Sequence, residues 1–286
     1  LGAYVLSMIR GEHQSKGGSS PIIRFILGFF VMIGALMFLG CPIRMILRLG
    51  GGDLNALFGI AGFAGGIGFG TIFLKKGYSL QRTYALSKLE SAMMPAIQVG
   101  LLVLVVTAPA FIFFSQKGPG AMHAPWLISL AAGLVVGGLS QVSRLCTVGG
   151  FRDLFLFKKS ILIFGYLAVL VGVFVVNISF GNFHLGFENQ PIAHTDGLWN
   201  FLGMALAGFC SVLLGGCPLR QLIMTGEGNS DSAVTVLGLA AGAAFAHNFG
   251  LAASGAGPTL NGEIAVGVGF VVALIIAILN TKRANA

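Results

Sequence analysis

The sequence predicts an all-α polytopic membrane protein, an inverted-repeat helical bundle in which short or half helices carry cysteine motifs. Three observations predict it: a composition too apolar for a water-soluble surface, eight apolar runs long enough to span a bilayer, and a Gly-Cys-Pro-x-Arg motif that occurs twice. Of the 286 residues, 56% are hydrophobic and only 9% are charged, against roughly 25% charged in soluble domains. The 44 glycines fit the same class, because membrane bundles use small residues to bring helix backbones together.

The apolar runs read as 22–39, 54–74, 93–114, 125–145, 160–179, 199–215, 233–253 and 264–280. Each is close to the ~20 residues that cross a bilayer. The nine-residue run Leu1–Ile9 is too short to span and reads as the tail of a longer helix. Lysine and arginine sort the loops into two kinds. Segment 10–24 (Arg10, Lys16, Arg24), loop 75–88 (Lys75, Lys76, Arg82, Lys88), loop 150–159 (Arg152, Lys158, Lys159) and the C-terminus (Lys282, Arg283) are basic. Loop 115–124 has Lys117 alone, and loops 181–198 and 254–263 have none. Eight crossings with both termini in the cytoplasm put every basic loop inside. Arg44 and Arg48 then fall toward the outside, and arginines at membrane depth are costly enough to mark a site.

A shift of 176 residues aligns Gly40–Gly70 on Gly216–Ala246 without gaps. The identities are the Gly-Cys-Pro and Arg of the motif, Gly50/Gly226, Gly52/Gly228, Gly62/Gly238, Ala64/Ala240, Gly66/Gly242 and Phe69/Phe245. The sequence thus divides into a first half of about 1–114, N-terminally incomplete, and a second half of about 125–286. In the predicted topology, run 22–39 travels outward and run 199–215 inward, which makes the copies inverted repeats, an arrangement common in transporters with midplane sites at broken helices. The counterpart of Cys146 in the first copy falls about 30 residues before Leu1, so an element is expected to precede this sequence.

The motif has a physical reading. Proline is favoured at the first position of a helix, and the residue before it is pushed out of the helical region. Pro42 and Pro218 therefore start short helices, with Cys41 and Cys217 at their caps and Gly40, Gly215 and Gly216 free to turn. Unpaired N–H groups and the helix dipole make such a tip an anion site, and Arg44 and Arg220 add positive potential one turn on. In "RLCTVGGFRD", Cys146 is again followed by small residues and then Arg152, with Asp153 expected to pair with an arginine. A thiol neighbours a soft sulfur or selenium atom well; it can donate a weak S–H hydrogen bond or exchange with a bound sulfur species. Cys210, with neither proline nor arginine after it, reads as packing. His247 is a packing or a ligand-handling histidine, and Asn248 is equally open. His184, Glu188, His194 and Asp196 read as solvated, with a lid as the alternative. Asp53 and Asn229, at matching positions, read as caps of a helix or turn.

The stretches "GGSSPIIRFILGFFVMIGALMFLGCPIRMILRLGGGDLNAL", "SRLCTVGGFRDLFLFK", "GFENQPIAHTDGLWNFLGMALAG" and "LLGGCPLRQLIMTGEGNSDSAVTVLG" resemble the YeeE/YedE family of sulfur-compound transport proteins, and within it the selenium-metabolism YedE-like branch. The resemblance implies a multi-pass inner-membrane protein whose thiosulfate-transporting relatives pass substrate between central cysteines, at positions matching Cys41, Cys146 and Cys217.

The expected function is a permease for a small sulfur- or selenium-containing anion, not an enzyme. The substrate-binding set is Cys41, Cys146, Cys217, Arg44, Arg220, Gly40, Gly216, Pro42 and Pro218, with Arg152, His247 and Asn248 secondary. The alternatives are an intramembrane thiol-based sulfur or selenium transferase and an accessory membrane subunit of selenium metabolism. Expected partners are the anion, the bilayer and a cytoplasmic thiol- or selenium-handling protein. The charge of +8 sits in short loops and implies no nucleic acid. The cysteines lack zinc-ligand or disulfide-framework spacing, no glycine cluster carries a phosphate-loop lysine, and no cofactor or metal is expected.

Overall fold

The computed structural model describes residues 1–109, 111, 113, 116, 121 and 123–282. Lys117, Arg283 and part of the end of the 93–114 run lie outside them. Among the described residues twelve helices follow one another: α1 (Gly2–Ile9), α2 (Pro21–Phe38), α3 (Pro42–Gly50), α4 (Asn55–Lys75), α5 (Lys88–Thr107), α6 (Trp126–Ser143), α7 (Thr147–Phe157), α8 (Leu162–Ser179), α9 (Gly197–Leu214), α10 (Pro218–Gly226), α11 (Ser230–Asn248) and α12 (Leu260–Lys282). Two residue pairs, β1 (Lys16–Gly17) and β2 (Tyr84–Ala85), form a minimal antiparallel ladder. The chain is an all-α polytopic membrane protein.

Seven segments among the described residues are long and apolar enough to cross a membrane, one fewer than the sequence predicts. The exception is α11, which covers run 233–253. It is helical, but Ser230, Asp231, Ser232, Thr235 and a series of alanines leave it too weakly apolar. Three of the seven continue past a break into a short helix: Pro21–Gly50, Trp126–Phe157 and Gly197–Gly226. Each break has the same local build. Leu39, Arg144 and Gly215 adopt left-handed backbone at φ 62°, 51° and 82°. Each stands two residues before Cys41, Cys146 or Cys217, and a new helix begins directly after the cysteine.

The chain forms two compact units. One comprises residues 1–19, 82–144 and 222–233; the other comprises 20–81, 145–221 and 234–286. In the first, Gln14 N–H donates to the Glu227 carbonyl at 2.9 Å and Lys16 N–H to the Gly228 carbonyl at 3.2 Å. Asp231 accepts from the backbone of Gly18 (2.8 Å) and Ser19 (3.0 Å), so segment 13–19 is strapped over the turn after α10.

The second unit repeats this device. His184 N–H donates to Gly51, Gly186 N–H to Gly52 and Leu54 N–H to Gly186, all at 2.9–3.0 Å, and Asn55 Nδ2 donates to the Phe187 carbonyl at 2.6 Å. A loop expected to be solvated thus straps the turn after α3. Gly52 and Gly228 hold φ of 99° and 98° at the two turns, backbone that a side chain would strain. Asp53 Oδ1 accepts from Asn55 N–H at 2.9 Å and Asn229 Oδ1 from Ser232 N–H at 3.1 Å, so both residues cap as expected.

The centre of the second unit is α9, buried without interruption from Gly203 to Leu214. Glycines let its neighbours approach backbone to backbone. A Cβ at Gly62 or Gly66 of α4 would run into the carbonyl oxygens of Phe201 and Ala205, and a Cβ at Gly238 or Gly242 of α11 into those of Phe25 and Phe29 in α2. The two pairings interchange when 176 is added or subtracted: 25–238 becomes 201–62, and 29–242 becomes 205–66. Between α2 and α9 the order reverses, because Gly34 abuts Gly203 and Ala207 whereas Met37 abuts Gly203. These two helices are antiparallel.

His194, expected in solvent, is 2% exposed. Its Nε2 donates to the Met37 carbonyl at 2.8 Å, and its own carbonyl accepts from Asn200 Nδ2 at 3.0 Å. Burial first, opposed by that hydrogen bond and reinforced by Arg48, lowers its pKa below the ordinary 6.5. The folded state therefore prefers neutral imidazole, and the unfolded state binds more protons below about pH 6.5, so stability rises with pH there. Thermal unfolding in detergent is expected at a lower temperature at pH 5.5 than at 7.5. His194→Gln should flatten that slope; an unchanged slope would assign it to other groups.

Candidate functional site

Cys41 caps α3 with extended backbone (φ −76°, ψ 171°), and Cys217 directly precedes α10. Cys146 caps α7, and its Sγ accepts from Gly149 N–H at 3.3 Å. No proline announces this third helix start; Thr147, Gly149 and Gly150 supply the small residues that let α7 begin at the thiol. All three cysteines are free. Cys146 and Cys217 lie in one buried apolar cluster with Phe38, Met45, Ile46, Phe63, Met204 and Tyr166.

Within the cluster the Cys146 and Cys217 thiols are hydrogen-bonding neighbours. Cys217 also interacts with the Thr147 side chain and with the backbone N–H groups of Thr147 and Arg220. Two helix starts therefore converge on one sulfur, each contributing donors that its own helix leaves unused. Cys41 is half-buried, whereas Cys146 and Cys217 are buried. Tyr166 of α8 lies within electrostatic reach of both Cys217 and Cys41, and its hydroxyl donates to the Pro42 carbonyl at 3.2 Å. Phe151 packs edge-on against Tyr166 and against Phe63, with ring centroids 5.9 and 6.0 Å apart. The Cys146 and Cys217 sulfurs thus sit in buried, largely apolar surroundings with a few aimed donors, where electrostatic interactions are stronger than in water.

The motif glycines have a steric role. A Cβ at Gly40 would meet Arg44 Cδ at 2.9 Å, and one at Gly216 would meet Arg220 Cγ at 3.2 Å. Each arginine stem folds back over the glycine that precedes its own cysteine. Gln221 Nε2 ties the second break shut through the carbonyls of Leu214 (3.3 Å) and Gly216 (3.5 Å).

Of the secondary candidates, Arg152 pairs with Asp153 through Nε (2.9 Å) and Nη2 (2.8 Å) at a partly exposed position. His247 and Asn248 are exposed in the last turn of α11, and Asn248 Nδ2 bonds the Ala244 carbonyl at 2.7 Å. The structure does not gather these three with the thiols. Cys210 is fully buried in a separate apolar cluster. Among the described residues, no group of His, Cys, Asp and Glu could hold a metal ion.

Sequence reasoning missed Tyr166 and Thr147. Tyr166 is the buried residue of α8, and a lone phenol in an aliphatic run is the signal that marks it. Thr147 could have been found as the residue after a cysteine at a helix start.

A search of curated proteins finds no match to the chain. A family model described as sulphur transport matches residues 142–281, which run from the end of α6 through α12 and include Cys146 and Cys217. By that match, residues 142–281 of this chain are similar to the YeeE/YedE sulphur transport family.

Proposed function

We propose that the protein is an inner-membrane permease for a small anion bearing an exposed sulfur or selenium atom, and that the anion passes between Cys41, Cys217 and Cys146. The observation that carries this reading is the meeting of the Cys146 and Cys217 thiols at the starts of two short helices, with Tyr166 in reach of both Cys217 and Cys41. The soft atom of the anion accepts S–H hydrogen bonds, while its charge is met by helix-start N–H groups and by Arg44 and Arg220. Gly40, Gly216, Pro42 and Pro218 hold the breaks that present the thiols.

In this reading the copies starting at α2 and α9 are inverted repeats. The interchange of the α2–α11 and α9–α4 pairings, together with antiparallel α2 and α9, supports a two-fold axis across the helices and hence in the membrane plane. Both ends of the chain then lie in the cytoplasm, as the basic loops favour. The soft-atom requirement admits selenium compounds as well as thiosulfate.

Uptake into proteoliposomes tests the proposal with a panel of thiosulfate, selenosulfate, selenite and sulfate. Accumulation of the soft-atom anions, thiosulfate or selenosulfate, with sulfate left outside is the expected result. Equal accumulation of sulfate, or no flux of any panel member through folded protein, would overturn it.

A further inference from the structure

Beside α3 lies a cavity of about 510 Å³ that is not part of the thiol cluster. Arg44, Arg48, Asp53, Asn177, Asn182 and His184 line it. We propose that this cavity is a separate vestibule that binds a small oxyanion through the Arg44 and Arg48 guanidinium groups. Only its place on a transport route rests on the permease reading.

The bonding around Arg48 carries the inference. Arg48 is 7% exposed. Its Nε donates to Asp53 Oδ2 at 2.6 Å, its Nη1 donates to the Phe38 carbonyl at 2.5 Å, and its guanidinium lies 4.0 Å from the centre of the Phe38 ring. Nη2 remains buried with no hydrogen-bond partner. Arg44 Nε is likewise buried without one. Buried charged donors left unmet are expensive, and both belong to side chains that line this one cavity.

The carboxylate on the wall does not cancel them. Asp53 Oδ2 is taken by Arg48, and Oδ1 accepts both Asn55 N–H and Asn55 Nδ2, each at 2.9 Å. Two guanidinium groups against one engaged carboxylate leave the cavity with a net positive charge. Gln190 Nε2 is spent on the carbonyls of His184 (2.8 Å) and Gly186 (3.0 Å), which fixes the loop that forms the far wall. Arginine donors favour oxygen anions of sulfate geometry. The vestibule therefore reads the oxygen face of a ligand, and the thiols read its soft atom.

The internal repeat shows that the arginine is not needed to make the turn. At the positions matching Arg48 and Asp53 the second copy has Met224 and Asn229, yet its turn keeps the same left-handed glycine. The feature exists on one copy only, which gives an otherwise repeated architecture one anion-capturing end.

Sulfate, which has the oxygen face and no soft atom, is the probe. Its binding to protein in nanodiscs is measured calorimetrically for wild type, Cys217→Ala, the pair Arg48→Met/Asp53→Asn, and Arg44→Gln. The paired change copies the second repeat and leaves no unpaired buried carboxylate; Arg44→Gln serves if that pair does not fold. Sulfate is expected to bind wild type and Cys217→Ala alike, and at least tenfold more weakly to the arginine variants. No sulfate binding to wild type, or affinities in the folded arginine variants equal to wild type, would overturn the vestibule. Normal transport by Cys217→Ala would overturn the permease reading instead and leave sulfate binding untouched.

Discussion

Cys217→Ala is expected to cut thiosulfate uptake into proteoliposomes by at least tenfold to a hundredfold while the protein still purifies as a folded species. The sulfur of Cys217 is where Cys146, Thr147 and the Arg220 N–H converge. A hydrogen bond to a charged group is worth about 1.5–3 kcal/mol, and each 1.4 kcal/mol is a factor of ten, which sets that floor for losing one contact to the passing anion. Folding should survive, because alanine keeps most of the cysteine residue's volume and the helix start rests on Pro218 and the backbone. Cys210→Ala is the matched control: it removes an equally buried thiol from a cluster without Cys41, Cys146 or Cys217 and should leave uptake near wild type. Equal, small losses in both variants would reduce Cys217 to a packing residue.

How much of this site could be read from the residues differs by position. Cys41 and Cys217 were legible because proline fixes a helix start and the motif recurs in register. Cys146 was legible as a thiol before small residues, but not as a third cap of the same kind; the left-handed turn before it is made by Arg144, a residue whose type predicts no such turn. Tyr166 was illegible, since its meaning comes from α8 packing on α3, a contact between residues 124 apart in sequence. His194 was misread for a similar reason. A histidine in a polar loop reads as solvated until α2 supplies the Met37 carbonyl that buries it. The apolar runs predicted the helices well, and α11 marks the limit: a helix packed through glycine and alanine needs little hydropathy of its own. Arg48 stood out by its cost at membrane depth, whereas the cavity it faces is assembled by the distant segment 182–191 and could not be read in advance.

The repeat also explains which glycines tolerate change, and the largest stability effect follows from it. Gly66→Ala is expected to destabilise the bundle by about 3 kcal/mol or more, at or beyond the upper end of ordinary overpacking. The added methyl would meet the Ala205 carbonyl and the Phe209 backbone nitrogen, and a backbone cannot rotate away as a side chain can. Gly242→Ala should cost a similar amount, because its methyl would meet the Phe29 backbone in the interchanged pairing. Gly65→Ala is the discriminating control. Its nearest neighbour is Phe201 Cζ at 3.8 Å, and the second copy already has Ala241 at that position, so stability should hold or rise slightly through helix propensity. Gly68, where a methyl would meet only Phe155 ring atoms at 3.7 Å or more, is matched by Ala244 in the same way. Glycine is thus kept in both copies at 62/238 and 66/242, where backbone faces backbone, and is replaced at 65/241 and 68/244, where it does not. Thermal unfolding of the purified variants reads this directly: Gly66→Ala and Gly242→Ala should fall together while Gly65→Ala stays near wild type. A Gly66→Ala protein as stable as Gly65→Ala would mean that α4 and α9 do not pack this closely.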